Sequence, residues 1–213
     1  IVMYRFMFKR LFDIIFSIVM GIILLPVTLL CMIVIFLSTG SPVFFTQGRM
    51  GRYHRPFTVL KLRTMIRNAE LRQDEGLSYD KLITREGRLL RKLHFDEFPQ
   101  LINVFLGQMS VVGPRPLSIK DYSTFAENNQ EYNILNDFRP GITGLASIYF
   151  YASENLRKKL LNTMGLKKLP CDENHFSRHK QLADYYHEHC SLLLDLKILY
   201  WTGLLVLEKR FSK

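Results

Sequence analysis

Residues 14–37 read IIFSIVMGIILLPVTLLCMIVIFL, a run with no charge. As a straight helix it would extend about 36 Å, enough to cross a bilayer core of about 30 Å. A secretory signal fits poorly, because the run outlasts an h-region and Ser38-Thr39-Gly40 is a weak cleavage site. Two features work against plain spanning. Pro26 lies mid-run, with no N–H to donate and a ring that disturbs the carbonyl of Ile22. Basic residues also flank both ends: Arg5, Lys9 and Arg10 before, then Arg49, Arg52, Arg55 and Lys61 after. The positive-inside rule favours keeping both clusters in the cytoplasm. A spanning helix with a tolerated proline fits these residues. So does a re-entrant helix that bends at Pro26 and leaves by the face it entered.

The charge of the whole chain gathers around that run. The 213 residues, a length for one domain or at most two, carry 29 basic and 19 acidic groups, a net +10. Residues 1–69 hold nine Lys/Arg and one acid, Asp13; the remainder is nearly balanced. This pattern points to an anionic surface or substrate near a membrane. Cys31, Cys171 and Cys190 are too few and scattered for a disulfide scaffold.

Beyond the run, residues 42–47 (PVFFTQ) and 56–62 (PFTVLKL) are β-branched and aromatic, with a basic turn over 48–55, which predicts a β-hairpin. Helices are expected over 64–74, 84–93, 95–106, 119–128, 154–164, 176–187 and 191–209. The last is apolar enough for the membrane interface, a buried core helix being the alternative. Stiff turns are expected at Gly113-Pro114-Arg115-Pro116 and Arg139-Pro140-Gly141-Ile142-Thr143-Gly144.

Asp96-Glu97-Phe98-Pro99 is the tetrapeptide most able to carry chemistry. Proline suits a first helical turn, so Asp96 reads as an N-cap. A carboxylate there stays ionised, at a place where phosphates also bind, and an ionised Asp can attack phosphorus. Glu97 could share a divalent metal or move a proton. Candidate phosphate partners are Arg91, Arg115 between its two prolines, and Lys61 and Arg63, which share a strand face by period two. Cys171, His175 and His179, with His187, His189 and Cys190 beyond, match no standard zinc spacing and read as polar surface. No P-loop, glycine-rich dinucleotide turn or serine nucleophile elbow is present.

Taken together, these motifs resemble the bacterial sugar transferases, small monotopic phosphoglycosyl transferases. The resemblance spans nearly the whole chain. It runs from Lys9-Arg10 and Asp13 through Phe45-Thr46-Gln47-Gly48-Arg49 and Lys61-Leu62-Arg63-Thr64-Met65 to Asp96-Glu97-Phe98-Pro99-Gln100. It continues through Met109-Ser110, Gly113-Pro114-Arg115-Pro116 and the block Arg139 to Gly144, and ends at Asp195-Leu196-Lys197.

The resemblance implies an α+β, mainly helical fold. A re-entrant membrane helix would occupy residues 1–40. A catalytic domain with a small hairpin and amphipathic interfacial helices would occupy 41–213, on the cytoplasmic face of the inner membrane. It implies transfer of a phosphosugar from a UDP-sugar to undecaprenyl phosphate with release of UMP. The route would pass through a phosphosugar on Asp96, with Mg²⁺ at Asp96 and Glu97. Lys61, Arg63, Arg91, Arg115 and Arg139 would serve phosphate or substrate. Three departures stand out. Leu25-Pro26 replaces the family's usual Ser-Pro, Ser147-Ile148-Tyr149-Phe150-Tyr151 replaces its Gln-Val-Asn-Gly-Arg, and residues 154–178 are longer than usual. A donor pocket is expected around residues 139–144 and 147–151.

Two other classes are weighed against this. A membrane-surface adaptor binding anionic lipids accounts for the basic third but not for the Asp-Glu-Phe-Pro and Pro-Arg-Pro blocks. Nucleic acid is not an expected partner, because the apolar run argues against free access to it. The residues neither require nor oppose a homo-oligomer.

Overall fold

The structure, a computed structural model, describes residues 8–127, 134–166 and 175–211. Its first element, α1 (Lys9–Thr39), is one helix running through Pro26. Two residues past the proline, the Thr28 hydroxyl donates back to the Leu24 carbonyl at 2.9 Å. Bonding of this kind tilts a carbonyl outward and bends helices. Ile18, Val19, Ile22, Ile23, Leu25, Leu29 and Leu30 are exposed along the middle of α1. An apolar belt of this extent is suited to lipid, not to water.

Both ends of α1 dock on the rest of the chain. At its start, Lys9 pairs with Asp195 at 2.8 Å, Arg10 donates to the Val104 and Phe105 carbonyls, and Asp13 accepts from the Ser110 hydroxyl and the Val111 N–H. Towards its end, Cys31 and Ile35 pack with Leu62 and Leu90, and Arg63 donates to the Thr39 hydroxyl and Gly40 carbonyl.

The hairpin pairs β1 (Phe44–Met50) with β2 (Pro56–Leu62), Phe44 opposite Leu62 and Met50 opposite Pro56. The first strand runs three residues further than 42–47, because Met50 is buried and its N–H bonds the Leu117 carbonyl. The helix expected over 64–74 starts only at Ala69 (α2, Ala69–Asp74). Residues before it pair instead with the segment after α3 (Tyr79–Leu82), through Ile66 N–H to Leu82 and Thr84 N–H to Thr64. Next, α4 (Arg85–Lys92) is capped by the Thr84 hydroxyl, which accepts from the Gly87 N–H.

Residues 95–106 divide into a 3₁₀ turn, Phe95–Glu97, and α5 (Gln100–Phe105). There follow β3 (Ser110–Val112), α6 (Ile119–Glu127), α7 (Ile134–Asp137) and β4 (Gly141–Thr143), which pairs in parallel with β3. The chain continues through α8 (Leu145–Tyr151), α9 (Glu154–Thr163), α10 (His175–His189) and α11 (Leu192–Phe211). The core is built from Val104, Met109, Val112, Leu135, Ile148, Leu160 and Ile198.

The buried-core reading of the last helix holds for one face of α11, and the other face is exposed. Leu194, Ile198, Trp201 and Leu205 are buried, while Leu193, Leu196, Tyr200 and Leu207 are exposed. His179 is not polar surface: it is buried and stacks on Phe150. Cys171 lies outside the described residues. Among those described, no group of three His, Cys, Asp or Glu is placed to hold a metal.

Candidate active site

A left-handed residue places the carboxylates. After α4, His94 takes φ 56°, a conformation that costs a non-glycine residue about 1 kcal/mol. It turns the chain sharply into the 3₁₀ turn that carries Asp96 and Glu97. Asp96 is therefore not the N-cap the tetrapeptide suggests. The residue before α5 is Pro99, and no side chain caps that helix. Asp96 is also not kept ionised by a helix end. Burial, reinforced by the charge of Glu97, pushes its carboxyl above the ordinary range, and Lys61 and Arg91 only partly offset this. Glu97 goes the other way. Burial would raise it, but Lys61, with His94 and Arg115, holds it below its ordinary value. The Lys61 ammonium lies 2.8 Å from the Glu97 carboxylate. The two carboxyls are thus shifted in opposite directions by their surroundings, burial prevailing at Asp96 and the cations prevailing at Glu97.

Four cations face this turn, each positioned by a different element. Lys61 sits near the end of β2, which α5 clamps. The Asn103 amide accepts from the Leu60 N–H and donates to the Thr58 carbonyl. Arg91, in the last turn of α4, donates to the Thr64 hydroxyl at 2.7 Å and the Tyr79 hydroxyl at 2.8 Å. Arg115 donates to the Tyr151 hydroxyl at 2.8 Å, and its guanidinium lies 5.0 Å from the centre of that ring. The fourth, Arg49, has a place in the sequence motif but no assigned role there. It donates to Gln47 at 2.7 Å and to the Pro116 carbonyl. Burial and the nearby Arg115 draw its guanidinium below the ordinary value, against the pull of Asp121, Tyr151 and Glu97. The signal for Arg49 was its spacing two residues from Gln47 on a strand, which puts both on one face.

The structure does not bring Arg63 and Arg139 to the carboxylates. Arg63 is buried at the end of α1, on Thr39 and Gly40. Arg139 donates to the Gly107 carbonyl at 2.6 Å, beside Arg52 and Arg10. Period two predicts a shared face for Lys61 and Arg63, but β2 ends at Leu62 and the alternation ends with it.

The two turn blocks lock together. The Gly113 N–H bonds the Thr143 carbonyl and the Gly141 N–H bonds the Pro114 carbonyl. A Cβ on Gly144 would lie 2.0 Å from the Gly113 oxygen, so only glycine permits this approach. The interlock fixes the backbone carrying Arg115. The unusual stretch 147–151 follows at once as α8. Tyr149 is buried, while Ser147 and Tyr151, one turn apart on the same face, both reach Arg115. Tyr151→Phe keeps the ring and removes the acceptor for Arg115. A single hydrogen bond is worth about 1 kcal/mol, so kcat/KM for the donor should fall about fivefold with the melting temperature unchanged. Unchanged kinetics would mean that the prolines, the backbone interlock and Ser147 hold Arg115 without Tyr151.

The model of the family described as bacterial sugar transferase matches residues 4–209. The chain belongs to the bacterial sugar transferase family. This transferase is 37% identical over 193 residues to the "Uncharacterized sugar transferase EpsL" of Bacillus subtilis (strain 168), covering 90% of this chain and 83% of that protein. It is 34% identical over 202 residues to the "Exopolysaccharide production protein PSS" of Rhizobium leguminosarum bv. phaseoli, covering 91% and 92%. The "UDP-glucose:undecaprenyl-phosphate glucose-1-phosphate transferase" of Klebsiella pneumoniae is 33% identical over 196 residues. That match covers 92% of this transferase but 39% of the relative, so the chain spans less than half of that protein.

Proposed function

We propose that this transferase moves a sugar phosphate from a UDP-sugar to undecaprenyl phosphate, releasing UMP, at the cytoplasmic face of the bacterial inner membrane. The observation that carries the reading is the Asp96–Glu97 pair on one turn, faced by Lys61, Arg91, Arg115 and Arg49. Such a ring suits a reaction in which one anion must approach another. The printed name of the Klebsiella relative supplies the donor and acceptor classes.

Ionised Asp96 attacks the phosphorus that bears the sugar. A carboxylate oxygen–phosphorus bond forms, the bridging P–O bond breaks, and the electron pair leaves with UMP. A phosphate oxygen of the lipid then attacks the same phosphorus and frees Asp96. Lys61, Arg91, Arg115 and Arg49 hold the phosphate oxygens throughout. Two adjacent carboxylates with no third protein ligand among the described residues suit Mg²⁺, which takes one or two carboxylates and fills its shell with phosphate oxygens and water. When bound at Asp96 and Glu97 it would supply positive charge to the donor phosphates.

The docking of α1 supports a re-entrant segment. Its start rests on Asp195, Val104 and Ser110, and its end rests on Leu62, Leu90 and Arg63. One domain holding both ends of an apolar helix favours keeping both ends on one side of the bilayer. Cysteine labelling of Tyr4→Cys in intact cells should give no periplasmic signal. Labelling from outside, with a cytoplasmic C-terminus, would establish a spanning helix.

UMP release from a panel of UDP-sugars, with undecaprenyl phosphate in detergent, tests the reaction; no release from any donor would dismiss it. The same assay carries a pH prediction. Turnover requires ionised Asp96, whose carboxyl lies above the ordinary range, so the rate falls as pH drops through that raised value. Lys61 lowers it, so Lys61→Met should move the acid limb to higher pH, whatever it does to the maximum rate.

A further inference from the structure

Five residues along β2 from Lys61, about 17 Å away, the hairpin's other end borders a second basic site. It is a cleft of about 270 Å³ lined by Arg52, Tyr53, Arg55, Gly107, Gln108 and Arg139, among others. No carboxylate among the described residues lines it. Arg10 stands beside it, close enough that a Cβ on Gly107 would meet its Nη2 at 3.3 Å. The Gly107 carbonyl accepts from Arg139. Burial, with the charges of Arg52 and Arg10, draws the Arg139 guanidinium below its ordinary value, and Asp13 only partly compensates. The Arg52 Nε is buried with no hydrogen-bond partner, and its guanidinium lies 4.5 Å from the centre of the Tyr53 ring.

The loop is built, not merely exposed. Tyr53 and His54 are successive non-glycine residues with φ 58° and 55°. Strain of this kind persists only where the surroundings enforce it. Here His54 is clamped between the Tyr122 hydroxyl at 2.6 Å and the Asn136 amide oxygen at 2.8 Å. Clustered guanidinium groups with no carboxylate in the cleft lining are suited to a phosphate oxyanion.

The neighbours of the cleft favour a lipid as the source of that phosphate. Arg10 lies in the first turn of α1, just before the apolar run. Phe105 and Leu106, immediately ahead of Gly107, are 52% and 63% exposed. The cleft therefore adjoins both the charged start of the apolar run and an exposed apolar pair, a junction suited to the headgroup layer of a bilayer.

We propose that the cleft of Arg52, Arg55 and Arg139 binds the phosphate headgroup of an anionic phospholipid, at a site separate from Asp96. The bound headgroup fixes the depth and tilt of the domain on the membrane. The proposal does not depend on the reaction assigned to Asp96.

The test uses the full chain in detergent, titrated with phosphatidylglycerol or phosphatidylcholine and read by native mass spectrometry of retained lipid. Phosphatidylglycerol should be retained in preference. Each cation near a lipid surface contributes about 1 kcal/mol, a factor of about five, so Arg52→Ala with Arg55→Ala should weaken retention about 30-fold. Arg52→Lys with Arg55→Lys should keep most of it. Arg55→Glu, at an exposed position, guards against a double variant that fails to fold, and should also weaken retention. Equal retention of both lipids, or unchanged phosphatidylglycerol retention in Arg55→Glu, would overturn the proposal. So would displacement of the lipid by glycerol 3-phosphate at equal concentration, since the site would then take a soluble phosphate.

Discussion

Asp96→Asn is expected to reduce UMP release by about 10⁴-fold or more, the scale on which losing a covalent nucleophile is felt. Fold and melting temperature should survive. Asparagine matches the carboxylate in size, and Asp96 does not cap α5, so no helix end is lost. The fold already disfavours its charge, since burial and Glu97 raise its pKa. Neutralising it removes a cost to the folded state and leaves stability unchanged or improved. Donor labelled in the sugar, incubated without lipid acceptor, should leave a phosphosugar on the peptide holding Asp96 in the parent and none in the variant. Full activity in Asp96→Asn, or an adduct mapped elsewhere, would defeat the covalent scheme. Release of UMP only after acceptor is added would indicate direct transfer in one step.

Lys9→Met should be the most destabilising single change at the base of α1. Lys9 and Asp195 form a buried pair, with Asp195 fully shielded and also accepting from the Tyr186 hydroxyl at 2.7 Å. Removing one partner of a buried pair typically costs about 3–5 kcal/mol, because the other charge stays buried. For a chain of this size that is a fall of about 10 °C in melting temperature, measured in detergent by scanning calorimetry or fluorescence. Lys9→Met combined with Asp195→Leu should regain part of the loss, since Asp195 is then not stranded, while Asp13, whose charge Lys9 also offsets, keeps the remainder. A single variant within about 1 °C of the parent would mean that water relieves Asp195.

The two largest expected effects thus have different origins. Lys9 holds the membrane helix to α11, and Asp96 performs the proposed chemistry. The buried polar groups between them join the two. Asp13 ties α1 to Ser110 and Val111, and β3 pairs with β4, directly ahead of α8 and Tyr151. Changes at the base of α1 should therefore also disturb Arg115.

Local pattern alone determined a good part of this protein. The uncharged run 14–37, the strand 56–62 and the helices near 84–93, 119–128, 154–164 and 191–209 are legible because periodicity, caps and apolar runs act over a few residues. The motif blocks were enough to identify the family and to single out Asp96, Glu97, Lys61, Arg91 and Arg115. Tertiary structure decided how those groups relate. Proline at 99 implied a cap at Asp96, but the left-handed His94 and the packing of Phe95 against Phe98 stop the helix until Gln100. Which arginines face the carboxylates was also beyond sequence spacing. Arg63 is drawn to Gly40 and Arg139 to Gly107, while Arg49 turns towards Arg115, because each guanidinium follows carbonyls brought near by chain segments distant in sequence. The acidity of Asp96 depends on the same cause. Its sequence neighbours suggested a carboxylate kept ionised, but burial under the assembled domain acts on the neutral and charged forms unequally, and burial exists only once the chain has folded.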